Sequence, residues 1–391
     1  MSAPESRSQP GILLLGSQVA VGGSQSMLLA MSAWLHERGY RVIAAFFYDR
    51  DNLYAQWKEE APFPLLDLEA WKKGGGVSAL LQLQAGLRRL YRLLRREKFT
   101  AVLAFTHHAS LLGLPLAWLA GVPVRLAGHR GSIQDIPRWM TRLHAWMVNR
   151  GIATLMVAVS ERVRLKAIEE EGILPERVVV IQNGIIPPLG ADFSDAERRS
   201  ARERLGIPAD YLLALTVGRL TEQKGHAYLL RAVPLVMQRF SNIIFLLAGD
   251  GPLRPHLEGE ARQLGIGDAV RFLGTRSDVP DLLRTADLFI LPSVSEGMPV
   301  ALLEAMMVGL PVIASQVEGV DEIVQDGQNG LTVPPADPKA LSQAILRLAL
   351  DAEMRQRLGA QAKSSVENRF TLDAMCNRYL ELFQAGTWVR R

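Results

Sequence analysis

Short apolar runs alternate with longer amphipathic segments from Gly11 onward. Residues 12–15, 41–47, 101–105, 123–127, 155–159 and 178–181 are compact, β-branched or Leu-rich and bounded by Gly, Pro or polar residues, the pattern of buried strands. Between them, residues 25–38 and 80–97 repeat apolar positions at helical spacing. A second series starts at 211–217 and continues through 243–248, 270–273, 288–291 and 312–314, after which helical patterns fill the chain to its end. Such alternation predicts parallel sheets covered on both faces. The break is Pro187-Pro188-Leu189-Gly190, followed by a charged helix at 196–205. The expected fold class is therefore α/β, with two doubly wound, Rossmann-like domains at 1–186 and 187–371. Open α/β sheets bind ligands beyond the carboxyl ends of their strands, so the expected active site is a cleft between two such edges.

Composition changes the picture little. A chain of 391 residues, 48% hydrophobic and 21% charged, has room for two cores. The single cysteine, Cys376, excludes an internal disulfide and any thiolate-rich metal cluster, and points to a reducing, cytoplasmic setting. Residues 1–10 are Ser- and Pro-rich without a basic leader, which argues against a cleaved signal peptide. Residues 99–124 lack Asp, Glu, Lys and Arg, yet His107, His108, Gly113, Pro115, Gly121 and Pro123 interrupt them; strand, loop, short helix and strand fit better than a membrane span.

Charge is uneven. Residues 1–184 carry 22 Lys and Arg against 15 Asp and Glu, the remainder 22 against 25, for the net +4. On the helix at 80–97, Leu83, Leu87, Leu90, Tyr91 and Leu94 share one side, and Arg88, Arg92, Arg95 and Arg96 gather on the other. That row is either a solvated face or a docking surface for an anionic membrane, where each basic residue contributes ~1 kcal/mol. The aromatics interleaved with it are too few to stack bases, so nucleic acid is not an expected partner.

The candidate chemistry sits at strand ends. Glu296 lies in a loop after the strand at 288–291, and Glu304 one to two turns into a helix opened by Pro299 and Val300. Eight positions at ~1.5 Å per helical residue bring the two carboxylates to within roughly 12 Å, with the first helix amides between them as an anion site. After the strand at 211–217, Gly218-Arg219 and Lys224-Gly225 offer a forked and a point cation to a phosphate pair. In the first domain the loop from Gly16 to Gly23 leaves a strand for a helix, its small residues admitting a substrate to the backbone; Gly16 and Gly22 are too far apart for a dinucleotide fingerprint. His129 follows a strand and points to the same edge, and no carboxylate at ligand spacing joins it with His107 and His108 in a metal site.

Gly218-Arg219-Leu220 with Lys224-Gly225, then Ser295-Glu296-Gly297-Met298-Pro299 with Leu302-Leu303-Glu304-Ala305, resembles family 4 of the retaining, nucleotide-sugar-dependent glycosyltransferases with the GT-B fold. Segments at 248–252, 272–274, 309–314 and 329–331, and in the first half 22–25 and 182–185, are similar too. The resemblance implies transfer of a sugar from a nucleoside diphosphate to an acceptor hydroxyl; docking of the basic row on a membrane would suit a sugar or lipid-linked acceptor of envelope polysaccharide or glycolipid synthesis, at the inner face of the cytoplasmic membrane. It implies no cofactor and no essential metal. Catalysis would rest on Glu296, Arg219, Lys224 and His129; donor binding on Glu304, Gly218, Gly297, Met298, Pro299, Val300, Gly249 and, near the base, Arg276; and the acceptor side on Gly22 and Gly23. Glu296 would hold the donor sugar or act as nucleophile. The helix from 372 is expected to cross back onto the first domain. Gln25 departs from the glutamate common in the family. A nucleotide-sugar epimerase of the same fold and a non-catalytic nucleotide-sugar-binding protein are the alternatives.

Overall fold

The computed structural model of the protein describes residues 10–71, 77–131, 137–186, 194–367 and 369–388. The first ten elements are β1 Gly11–Val19, α1 Gly23–Glu37, β2 Arg41–Asp49, α2 Tyr54–Glu60, β3 Leu65–Asp67, α3 Val77–Glu97, β4 Ala101–Ala104, α4 His107–Leu119, β5 Val124–His129 and α5 Arg138–Asn149. They are followed by β6 Leu155–Ala158, α6 Glu161–Glu169, β7 Val178–Val180, α7 Asp195–Arg204, β8 Leu212–Val217, α8 His226–Met237, β9 Ile243–Ala248, α9 Arg254–Gln263 and β10 Val270–Gly274. The rest are α10 Val279–Thr285, β11 Leu288–Leu291, α11 Val300–Met307, β12 Val312–Ser315, β13 Leu331–Val333, α12 Pro338–Leu350, α13 Ala352–Glu367 and α14 Leu372–Trp388.

The chain divides into two compact units, Met1–Gly184 with Leu372–Arg391, and Ile185–Thr371. Among the described residues the first holds a parallel sheet of order β3-β2-β1-β4-β5-β6-β7 and the second one of order β10-β9-β8-β11-β12-β13. Both orders reverse direction beside the first strand of the unit, which is where a doubly wound sheet opens for a ligand. Helices α3, α4 and α5 pack side by side, and the general right-handedness of parallel crossovers puts them on the face of the first sheet opposite α1. Helix α14 lies against α1, where Asp373 accepts from Trp34 Nε1 and Arg38, each at 2.6 Å. In the second unit Phe245, Leu288, Ile290, Leu230 and Ile345 meet in one core. The charged helix α7 is held by its polar face: Arg198 and Arg202 pair with Asp287 at 2.5 and 3.0 Å.

Several expectations change. Strand β1 does not end at Gly16 but pairs with β2 as far as Val19 opposite Asp49, so the loop before α1 shrinks to residues 20–22. Gly16 serves packing: a Cβ there would stand 2.4 Å from the Phe46 ring. Strands β3 and β13 were not expected: at three residues each, and with Asp67 and Thr332 breaking their apolar runs, they lack the unbroken β-branched run that marks the equally short β7. On α3, Leu90, Leu93 and Leu94 are buried whereas Tyr91 is exposed, which turns the apolar face from the one expected. Residues 99–124 fold as strand, helix and strand, and among the described residues no helix is long and apolar enough to cross a membrane. The segments on which the leader and linker expectations rest, residues 1–9 and 187–193, lie outside the described residues, as do 389–391 at the end of the chain.

Candidate active site

In the second unit, the ends of β8, β9 and β11 are brought together by glycines. Gly249 has φ 141° and its Cβ would meet the Gly218 carbonyl at 2.0 Å; at Gly251 a Cβ would meet the Leu220 carbonyl at 2.4 Å. The loop from Gly218 to Leu220 is thereby clamped to that from Gly249 to Leu253, with Leu220 N donating to Asp250 O and Leu253 N to Leu220 O. Gly225, at φ +64°, sits against the Pro292 carbonyl, which a Cβ would approach to 1.9 Å. We expect Gly225→Ala to cost ~3 kcal/mol or more in urea unfolding, because strain at positive φ adds to a backbone clash. Gly265→Ala, at φ +66° in open space, is the control and should cost only about 1 kcal/mol.

This close approach brings cation and carboxylate into contact. Lys224 Nζ stands 2.6 Å from Glu296 Oε1, and Ser293 Oγ donates to the same oxygen at 2.7 Å. Glu296 is buried and Lys224 about a quarter exposed. The lysine stem runs past Gly218, its Cδ 3.5 Å from where a Cβ would be. Gln223 fastens the two loops further, donating to Ser295 O at 3.0 Å and accepting from Val294 N at 2.9 Å. Ser293 and Gln223 escaped the sequence reading; the only signal was a Ser three residues before Glu296 at the end of a strand. Gly319 was missed too: at φ +76° its Cβ would meet the Gly297 carbonyl at 1.8 Å, so it lets its loop close on Gly297 and Met298.

Helix α11 starts after Pro299 with no side chain capping it, so the amides of Val300 and its neighbours are left for a ligand. The carboxyl of Glu304, one turn in, receives no hydrogen bond among the described residues, and burial pushes it up to about 7. Arg276 is fastened to Asp278 in its own loop, at 2.7 and 2.5 Å, so it would have to exchange that partner to reach a base.

The remaining expected residues belong to the first unit. Gly22 precedes α1 with extended backbone, and its carbonyl accepts from Gln25 N and Ser26 N. Gln25 turns back on its own loop, donating to Gln18 O at 3.4 Å. At the end of β5, His129 Nδ1 accepts from Gly131 N at 3.3 Å, so Nε2–H donates to Glu171 Oε1 at 2.6 Å; both side chains are 1% exposed. The ring is thus enclosed and its nitrogens are engaged within the unit. Glu171, 42 residues beyond His129 in the chain, stands in no expected motif and carried no signal. Beyond it, the His107 and His144 rings lie 4.0 Å apart, and both His144 nitrogens, His107 Nε2 and Glu171 Oε2 find no hydrogen-bond partner among the described residues. Among the described residues no three ligating side chains are arranged to hold a metal ion.

Burial, reinforced by neighbouring histidines, lowers His107 to about 4 and His144 well below its ordinary value. Burial, with Lys224 nearby, lowers His226 in the second unit to about 4. Unfolded histidines take up protons below their ordinary value of about 6.5 whereas these do not, so stability is complete above that pH and is lost as pH falls toward 4. We expect urea midpoints to drop between pH 7 and 5, each such histidine contributing on the order of 2 to 3 kcal/mol by the lower limit. His144→Leu should flatten the fall.

Residues 197–365 match the family of glycosyl transferases group 1, and residues 21–187 the Glycosyltransferase Family 4. The alpha-D-kanosaminyltransferase of Streptomyces kanamyceticus is 30% identical over 271 residues, covering 68% of this chain and 69% of that protein. The UDP-Gal:alpha-D-GlcNAc-diphosphoundecaprenol alpha-1,3-galactosyltransferase of Escherichia coli is 26% identical over 318 residues, 78% of this chain and 80% of the relative. Two other relatives are matched over only 54% and 60% of their own length. Among solved structures, Anabaena HepE in complex with UDP and glucose superposes with a TM-score of 0.83 at 22% identity, over 96% of this chain and 99% of that one. The two parallel-sheet units are those of the GT-B fold, and the chain belongs to the glycosyltransferases of this family.

Proposed function

We propose that the protein transfers a sugar from a nucleoside diphosphate to an acceptor hydroxyl with retention of the anomeric configuration. The observation that carries this reading is the contact of Lys224 with Glu296 at 2.6 Å, which joins two loops 72 positions apart at the edge where uncapped amides begin α11. Breaking the anomeric bond spreads positive charge on the sugar and negative charge on the departing diphosphate. Arg219, Lys224 and the amides of Val300 and its neighbours stabilise the diphosphate, so no metal is required, and turnover should survive a chelator. Glu304 accepts from the ribose hydroxyls. Glu296 holds the donor sugar, and deprotonation of the acceptor falls to the leaving phosphate rather than to a glycosyl-enzyme formed on Glu296. Gly249 and Gly297 let donor and backbone approach, Met298 and Pro299 fix the turn, Arg276 lies toward the base, and Gly22 and Gly23 toward the acceptor. His129 is held in one orientation by Glu171; a sugar hydroxyl reaching it takes the place of one of its present partners.

UDP is the first nucleotide to test, since a structural neighbour holds it. The name of the Escherichia coli relative specifies a diphosphoundecaprenol-linked substrate; we extend that class, a lipid-linked sugar of envelope polysaccharide synthesis, to this chain, working at the cytoplasmic face of the membrane. Arg88, Arg92 and Arg95 on α3 are exposed and enter no ion pair among the described residues, which suits contact with anionic headgroups. The decisive experiment pairs thermal-shift screening of UDP, GDP and ADP with mass detection of product from the preferred donor and lipid-diphosphate sugars, and NMR of the new anomeric centre. A changed donor released without acceptor would mean an epimerase. Binding without turnover across the acceptor panel would mean a nucleotide-sugar-binding protein.

A further inference from the structure

Helix α5 leaves an aromatic and basic face without a covering element. At about 100° per residue, Trp139, Leu143 and Trp146 fall together with Arg138, Arg142 and Arg150 within an arc of roughly 140°. Trp139 is 64%, Leu143 41% and Trp146 52% exposed, far beyond what the rest of the helix shows, since Thr141, His144, Ala145, Met147 and Val148 are buried against the unit. At the end of the adjoining α4, Trp118 and Leu119 are 51% and 59% exposed. Neither α4 nor α5 contains an Asp or Glu, and Arg138, Arg142 and Arg150 make no ion pair among the described residues.

Three classes of occupant would bury such a face, and charge decides among them. A second copy packed on it about a two-fold axis would bring the arginines of one chain against those of the other, a like-charge contact that no carboxylate of α4 or α5 relieves. A protein partner would have to be acidic and groove-shaped, and this face is a convex helix. Indole rings beside arginines on a helix surface free of carboxylates match an anionic lipid surface, where the rings sit at headgroup level and guanidinium groups meet phosphate. We propose that α5, with the exposed end of α4, is the segment that enters the headgroup region of an anionic bilayer, and that the basic row of α3 supplies attraction at longer range. This deepens the lipid-surface reading given above and is tested apart from sugar transfer.

The test is flotation of the full chain with phosphatidylcholine vesicles, with and without phosphatidylglycerol, together with quenching of tryptophan fluorescence by lipids brominated along their acyl chains. Binding should require phosphatidylglycerol, bromolipid should quench the wild type, and W139S/W146S should lose most of the quenching, Trp118 keeping the remainder, and at least about tenfold in affinity, the scale of two interfacial rings. R138Q/R142Q/R150Q should lose about a hundredfold, from ~1 kcal/mol per charge. UDP affinity, measured on the same variants, should be unchanged; a variant that fails to float yet binds UDP as the wild type does has lost the surface and not the fold. The proposal is overturned if wild type ignores anionic vesicles, if R88Q/R92Q/R95Q abolishes binding while the α5 variants float normally, or if the tryptophans instead hold a dimer that W139S/W146S dissolves in sedimentation.

Discussion

Replacing Lys224 by alanine is expected to lower kcat by 10²–10³-fold or more, the scale of removing one preorganised charged donor from a developing anion. A second effect accompanies it. Lys224 neutralises Glu296, which is 6% exposed and whose carboxylate is otherwise bonded only to Ser293 among the described residues. Removing one partner of a buried pair leaves the other uncompensated and costs ~3–5 kcal/mol when both are fully enclosed; the partial exposure of Lys224 argues for the lower end. The single variant therefore loses both stability and turnover. Lys224→Met with Glu296→Gln separates them: two neutral side chains of similar volume should restore the urea midpoint while kcat stays depressed. Near-normal kcat in the folded double variant would remove Lys224 from diphosphate stabilisation and Glu296 from sugar positioning together.

Glu304 carries the second large effect, and its sign depends on pH. Burial raises its carboxyl to about 7, above the value near 4.3 of a free glutamate. The group therefore contributes stability that is complete below the unfolded value and is lost as pH rises through about 7. Glu304→Gln removes that loss, and the variant should be more stable than the wild type at pH 8 by up to about 2 to 3 kcal/mol, discounted for the part of the side chain that reaches solvent. Nucleotide binding should move the other way. A carboxylate accepts from both hydroxyls of a ribose, so wild-type affinity for UDP should rise as pH passes through about 7. Glu304→Gln should weaken UDP by roughly 10- to 100-fold, the worth of charge-assisted hydrogen bonds, and flatten that dependence. Calorimetry at pH 6 and 8 reads both; an unchanged affinity in a stabilised variant would take the ribose away from Glu304.

Most of the strand and helix order was legible because parallel strands buried on both faces are apolar throughout, and glycine or proline marks their ends. Residues 243–248 and 288–291 are such runs, and they are β9 and β11. Where the run is three residues long and a polar residue interrupts it, the signal fails, as at β3 and β13. It also fails where the reason for a residue is a neighbour far along the chain. Gly16 reads as a flexible loop glycine, yet Phe46 across the sheet requires it.

The two acid positions, the two cations and the glycines around them were readable as chemistry, since their residue types and their places after strands suffice to suggest a diphosphate and two hydroxyl-bearing ends. The chain's own sequence thus determined the fold class, the family and the candidate site residues. Tertiary structure alone decided that Lys224 and Glu296 touch, that Ser293 shares their hydrogen bonds, that Glu304 is held unpaired, and that His129 is closed in by Glu171. It also left tryptophans 139 and 146 uncovered on a helix whose other side is buried. Local pattern reports which way a strand or helix can face; contact between side chains dozens of residues apart depends on how glycines such as 225, 249 and 319 let backbones approach, and burial of a charge depends on everything packed around it.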